Sequence, residues 1–307
     1  MNSASHAHAP SHAIVTGGSS GIGLAIAHRL LARGMHVTIV ARNAERLVTA
    51  EAALKGSCTS GSQRVLAISA DVASDAATRV AMTQAIAELG PPDLLITSAG
   101  VGGFVGRFED APLEEFESVM AINYLGSVYS ARAVLPTMRA RRKGHVCFVS
   151  SGAALIGVYG YSVYAPTKFA LRGLADVLRS ELKRDDVRVS ICYPPDTDTP
   201  MLQEEILTAP AETRAIAESA GLWSADDVAR IALKGIDANK FEIPIGTELW
   251  ALQHFRGIAS GGINWYLDGI VEKARVKSLA SAPPSASQSL AADAAPSSPA
   301  ASPDQST

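Results

Sequence analysis

A tyrosine and a lysine four residues apart, Tyr164 and Lys168 in YAPTK, would share one face of a helix. A phenol with a pKa of ~10 is a poor acid–base catalyst at neutral pH. A nearby ammonium would favour the phenolate and draw that pKa toward the working range. Such a pair also decorates many protein surfaces, so other residues must support a chemical reading. Ser151 stands thirteen residues earlier, at the end of the apolar run HVCFVSS. Asn123 lies inside a helical pattern, where asparagine is otherwise unfavourable. Ser150 adjoins Ser151, and either hydroxyl could point inward.

A second group of residues suits a dinucleotide. TGGSSGIG (16–23) joins a strand to a helix, and Gly17, Gly21 and Gly23 let the backbone turn tightly and approach a pyrophosphate at the helix N-terminus. Ser19 and Ser20 either add hydroxyls near the phosphates or cap the helix, and Ile22 completes the loop. A glycine-rich loop alone is weak evidence; here the strand–turn–helix context is present. The second strand ends VTIVARN, so Arg42 stands where an NAD enzyme places Asp or Glu, with Arg46 one helical turn on. Two guanidinium groups would attract a 2′-phosphate and no carboxylate stands there to repel it, which favours NADPH over NADH. Arg42 as a solvated surface residue is the alternative. Asp71 and Val72 end the third strand, where they would hold adenine.

These residues need a frame that brings strand ends together. The runs at 12–17, 36–41, 64–71, 93–100, 145–151 and 187–194 are continuously apolar and bounded by Gly, Asp or Pro, as in strands buried on both faces of a parallel sheet. Helical patterns lie between them: 21–33 closed by Gly34, 44–56, 75–90, and a long one over 113–142. The alternation predicts an α/β fold, a Rossmann-type doubly wound parallel sheet in a single domain, with its ligand at the carboxyl ends of the strands. A last helix follows Ser224 as N-cap, and FEIPIG (241–246) reads as a final strand.

Composition bounds the rest. The chain has 307 residues, 47% of them apolar, enough for a sizeable core, and its net charge of −3 shows no basic surface for nucleic acid. Three separated cysteines fit neither a disulfide framework nor a zinc site, so a reducing, cytoplasmic compartment is expected. Residues 1–11 lack an apolar run; they read as a disordered leader and not a secretory signal. Between Lys143 and Lys168 no Asp, Glu, Lys or Arg occurs, yet glycines and hydroxyls there suit a buried strand and an active-site loop better than a bilayer span. The dinucleotide domain is thus placed at 12–246. The aromatic and basic residues of 247–277 form an amphipathic extension that either packs on the domain or makes peripheral membrane contact. Residues 278–307, rich in Ala, Ser and Pro, read as a disordered tail.

Taken together, TGxxxGxG, the Ala99-Gly100 pair of TSAG, Asn123, Ser151 and YxxxK resemble the short-chain dehydrogenase/reductase family across roughly 12–246. The resemblance implies that Tyr164 protonates a carbonyl oxygen and that Lys168 grips the nicotinamide ribose and tunes Tyr164. It also implies that Ser151 orients the carbonyl and that Asn123 holds a water relaying protons to Lys168. INYLGSVY, KFALRGLAD, VARN and YPPDTDTP further resemble the branch of that family whose members reduce the C3 ketone of a long-chain keto-sphingoid base with NADPH. Other lipophilic ketones (steroid, retinoid, fatty-acyl) and a catalytically silent NADPH-binding module are the alternatives, the former set by the lid at 201–219. A homodimer is implied by resemblance alone. One departure is Thr97, where the family has Asn.

YPPDTDTP (193–200) follows the sixth strand. Asp196 and Asp198 without a nearby His are too few for a metal site, and hydride transfer needs none. Pro195 stands where the family has glycine and stiffens the approach to the lid. Pro194, the backbone near Thr197 and the hydroxyl of Thr199 would hold the nicotinamide carboxamide, by resemblance. Asp196 and Asp198 either cap turns or meet the amino group of a sphingoid base.

Overall fold

The computed structural model describes residues 11–281. Nearly all of the expected leader and tail therefore lies outside the described residues. The chain runs β1 (His12–Thr16), α1 (Gly21–Ala32), β2 (His36–Ala41), α2 (Ala44–Lys55), β3 (Val65–Ser69), α3 (Asp75–Leu89), β4 (Leu94–Thr97), α4 (Leu113–Met120), α5 (Gly126–Arg141), β5 (Gly144–Val149), α6 (Tyr164–Glu181) and β6 (Val187–Tyr193). Then come β7 (Thr197–Asp198), α7 (Pro200–Thr208), α8 (Ala211–Ala220), β8 (Trp223–Ser224), α9 (Ala225–Asp237), β9 (Glu242–Pro244) and α10 (Thr247–Ser281). Seven strands form one sheet in the order β3-β2-β1-β4-β5-β6-β9, parallel throughout.

The strands are apolar at successive positions because both faces are covered. In β1, Ala13 and Val15 pack with Leu30, Leu54 and Leu233 of α1, α2 and α9. Ile14 points the other way, to Met82, Val134 and Leu171 of α3, α5 and α6. With helices on both faces, the sheet is open to a ligand only along its strand ends. Strand order reverses at β1, between β2 and β4, and the crevice opens at the carboxyl ends there.

Two local features differ from the sequence reading. The helical pattern 113–142 is not one α-helix: α4 passes through a π-turn at Ala121–Leu125 before α5 begins. Its backbone is wound one residue wide there, and Asn123 sits inside the turn, fully buried. The extension past 246 is a 35-residue helix ending at Ser281, four residues beyond the boundary read from composition. Its start packs against the core through Leu249 and Leu252, and α8 lies against it. Further along, Ile258, Trp265 and Tyr266 are exposed. No helix among the described residues is long and apolar enough to cross a membrane. Ser224 caps α9 as expected, accepting from the Asp227 N–H.

The amino ends of the sheet carry two buried histidines. His12 Nδ1 donates to the Gly90 carbonyl at 2.7 Å and Nε2 accepts from Thr38 Oγ at 2.9 Å. His145 Nε2 donates to Ser190 Oγ at 2.8 Å, which in turn donates to the Lys240 carbonyl at 2.6 Å. Burial pushes both imidazoles down to about 4. The unfolded chain, with ordinary histidines, therefore binds more protons than the folded one between about pH 4 and 6.5, and acid favours unfolding in that window. Urea unfolding at pH 7 and pH 5 is expected to show about 2 kcal/mol lost per histidine, and His145→Gln should reduce that loss; equal pH slopes for wild type and variant would contradict this account.

Candidate active site

The glycine-rich loop joins β1 to α1. Gly17 has φ +69, and a Cβ there would lie 2.7 Å from the Ala99 backbone, so only glycine fits where β1 and β4 part. A Cβ on Gly23 would meet the Gly17 carbonyl at 2.3 Å, so its absence lets α1 seat directly on the turn. Ser20 is the N-cap residue of α1, but its side chain makes no capping bond. Ser19, Ser20, Gly21 and Ile22 line the crevice instead, beside first-turn N–H groups that no helix satisfies.

The walls of this crevice also include Arg42 from the end of β2, Asp71 and Val72 beyond β3, and Ala99 and Gly100 beyond β4. Arg46 is exposed in the first turn of α2 and is not part of the wall. The Asp71 carboxylate accepts from the Ala73 N–H at 3.0 Å, fixing its own turn. Thr97 has a buried hydroxyl with no hydrogen-bond partner among the described residues. The Ala99 N–H turns to Thr16 Oγ at 3.4 Å.

Tyr164 is the first residue of α6 and Lys168 follows one turn on, both lining the crevice. Lys168 Nζ stands 5.4 Å from the Tyr164 ring centre and donates to the Val149 carbonyl at 3.3 Å. Burial lowers the lysine to about 8. The same burial raises the tyrosine, reinforced by the charges of Glu205 and Asp196 and opposed by the Ser151 hydroxyl. The direction is opposite to the one the Tyr–Lys spacing suggests: the cost of charging a buried oxygen outweighs the neighbouring ammonium, and the phenol is favoured.

The serine pair resolves cleanly. Ser150 Oγ donates to the Lys168 carbonyl at 3.0 Å and is committed to structure. Ser151 Oγ accepts from the Ala153 N–H at 3.1 Å and faces Tyr164. Asn123 uses both ends of its amide: Oδ1 accepts from Val101 N at 2.8 Å, while Nδ2 donates to the Val101 carbonyl at 3.0 Å and Thr167 Oγ at 3.1 Å. A Cβ on Gly100 would lie 3.2 Å from Asn123 Oδ1 and 3.5 Å from Lys168 Nζ, so the two side chains flank that glycine.

Beyond β6, Pro194, Asp196, Thr197 and Thr199 all line the crevice. Thr197 Oγ donates to the Pro195 carbonyl at 2.8 Å, and Thr199 caps α7, accepting from the Leu202 N–H. Asp198 does not join them; it is exposed and accepts from Gln203 Nε2 at 2.9 Å. β7 pairs with β8 and closes the base of the excursion that carries α7 and α8. Two wall residues have no sequence signal of their own. Tyr161 donates to Glu205 of α7 across 44 residues, and its ring meets Tyr164 edge-on at 5.7 Å. Glu205 lies within the segment expected as a lid, but nothing in its neighbours singles it out.

The residues fit a dinucleotide: a cradle that side chains would fill, free helix N–H groups, and a cation at the ribose end of β2. Residues 11–209 match the family described as short chain dehydrogenase. Among curated proteins the chain is 43% identical over 242 residues to a 3-dehydrosphinganine reductase of Danio rerio, covering 78% of this chain and 73% of the relative. It is 44% identical to a 3-ketodihydrosphingosine reductase of Bos taurus, with the same coverage. Levodione reductase superposes with a TM-score of 0.73 at 27% identity, over 78% of this chain and 98% of that one. The L-sorbose reductase of Gluconobacter frateurii, solved with NADPH and L-sorbose, superposes at 0.69 and 26% identity, over 77% and 95%. Sheet, crevice and sequence agree: the chain belongs to the short-chain dehydrogenase/reductase family, whose members bind a nicotinamide dinucleotide.

Proposed function

We propose that the protein reduces the C3 ketone of 3-ketodihydrosphingosine (3-dehydrosphinganine) to dihydrosphingosine with NADPH, a step of sphingolipid synthesis. The observation that carries the reading is Ser151, Tyr164 and Lys168 on the wall of one crevice with the glycine-rich loop, in a chain 43–44% identical to vertebrate reductases of that name.

The dinucleotide supplies the hydride. Tyr164 supplies the proton: held as a phenol by burial, it is an acid, and reducing a ketone consumes a proton at oxygen. Ser151 holds the same oxygen and directs it toward Tyr164. Lys168, beside Gly100 and below Tyr164, grips the nicotinamide ribose. Asn123 anchors Val101 and Thr167 and so fixes the floor under Lys168; its water relay to that lysine belongs to the same reading. Pro194, Thr197 and Thr199 hold the carboxamide end, and Gly17 to Gly23 hold the pyrophosphate. Arg42, supported from outside the wall by Arg46, reads the 2′-phosphate.

A long acyl chain must leave a lipid phase to reach the crevice. Ile206 and Leu207 on α7 are exposed, as are Ile258, Trp265 and Tyr266 on α10, and they support peripheral membrane contact. Exposed Leu113 on α4 and Val177 on α6 support a homodimer through those helices.

Under NADPH, 3-ketodihydrosphingosine is expected to be turned over in preference to steroid and retinoid ketones, and Tyr164→Phe should lower the rate by at least ~100-fold while retaining NADPH binding. Wild-type turnover by that variant would remove Tyr164 from the mechanism. Arg42→Asp should weaken NADPH by about 1.5–3 kcal/mol more than NADH; equal loss for both cofactors, measured by fluorescence titration, would show that the phosphate is read elsewhere. In liposome sedimentation, Trp265→Ser combined with Ile258→Ser should release the protein from vesicles, and unchanged association would count against lipid contact through α10.

A further inference from the structure

Two acidic side chains in the crevice are not used by the proton and hydride chemistry. Glu205 reaches in from α7, where it accepts a hydrogen bond from the Tyr161 hydroxyl, and Asp196 lines the same wall from the loop after β6. The Gly102 backbone stands directly behind Glu205, whose Oε2 would be 3.3 Å from a Cβ there. Burial raises both carboxyls, and the charge of Asp196 raises Glu205 further; no cation contributes to either. Such a pair is costly to desolvate without a positive partner.

The position of this pair relative to the acid is informative. Tyr161 bridges them, its hydroxyl on Glu205 and its ring against Tyr164 at 5.7 Å and 70°. Glu205 is therefore tied through one ring to the residue that protonates the substrate oxygen, and Asp196 lines the same crevice. In 3-ketodihydrosphingosine the amine is carried on C2, the carbon adjoining the ketone. Resting on the function proposed above, we infer that Glu205, oriented by Tyr161 and seconded by Asp196, is the specificity-determining residue that reads the 2-ammonium group of the substrate. Asp198, turned to solvent, takes no part.

The arrangement links recognition to chemistry. Glu205 and Asp196 both raise the Tyr164 phenol, so their unpaired charge makes it a weaker acid. A seated ammonium neutralises that field, and the phenol gives up its proton more readily when the correct substrate is present. A ketone without the amine leaves the field in place.

The test compares two ketones and two alcohols. Reduction of 3-ketodihydrosphingosine and of its deamino analogue 1-hydroxyoctadecan-3-one is measured for wild type and Glu205→Gln, beside calorimetric binding of dihydrosphingosine and octadecane-1,3-diol to the protein saturated with NADP+. Wild type is expected to prefer the amine by about ten- to hundredfold in both measurements, and Glu205→Gln to bring the ratio within a few-fold of unity. Tyr161→Phe should lower the ratio partway, through KM more than kcat. An unchanged ratio in Glu205→Gln, or none in wild type, overturns the inference. If wild type reduces neither ketone, the substrate reading falls, and the alcohol pair alone decides: a binding preference lost in the variant supports the carboxylate's role, and equal binding overturns it. Should Glu205→Gln fail to fold by thermal melt, the same ratio in Asp196→Asn decides.

Discussion

A parallel sheet covered on both faces leaves only its edges of strand ends open, and that constraint organises this molecule. Every β-strand of the large sheet runs the same way, so every loop that carries chemistry emerges on the same side. Residues from positions 17 to 205 meet in one crevice because the strands deliver them there, without any long loop having to search for its partner. The opposite edge carries structural polar groups, among them the two histidines, whose hydrogen bonds hold strand ends and helix ends together. The division between a chemical edge and a structural edge follows directly from strand direction.

Burial of titratable groups is the second organising property. Burial lowers Lys168 and raises Tyr164, Glu205 and Asp196 from their ordinary values. In each case the shift is toward the uncharged form, because burial penalises charge. The residues are poised to exchange protons and to meet charges brought by ligands, and no fixed protein counter-ion competes. The uncharged polar groups beside them differ: Ser150 and Asn123 have hydrogen bonds made within the chain.

How much of this was legible in the sequence depended on distance along the chain. The strands were readable because two-sided burial leaves long apolar runs, and the doubly wound parallel sheet followed from the βαβ alternation. The glycine-rich loop, Ser224 as a cap, and the Tyr164–Lys168 pair all depend on neighbours within a few residues, and each was found where expected. The π-turn was hidden, since its sequence AINYL differs little from ordinary helix and only the packing around Asn123 calls for the wider winding. The Tyr161–Glu205 bond was hidden for another reason: its partners are 44 residues apart and neither has a local pattern. The direction in which Tyr164 is shifted was hidden too, because proximity to a lysine is visible in spacing, whereas the depth of a pocket is not.

The wide turn at Ala121–Leu125 also constrains how this chain can change over generations. A π-turn is an α-helix that has absorbed one extra residue. Removing one residue from it would restore ordinary winding and leave the phase of the helix beyond it unchanged, because the wide turn takes up the extra residue locally. Ser130, Ala131, Val134 and Met138, the buried stripe of α5, would still face the neighbouring α3. The loss would fall on the turn itself, where Asn123 holds Val101 and Thr167. A lost codon here would spare the packing and spoil the site, whereas the same loss within α5 would turn the residues beyond it by about 100°.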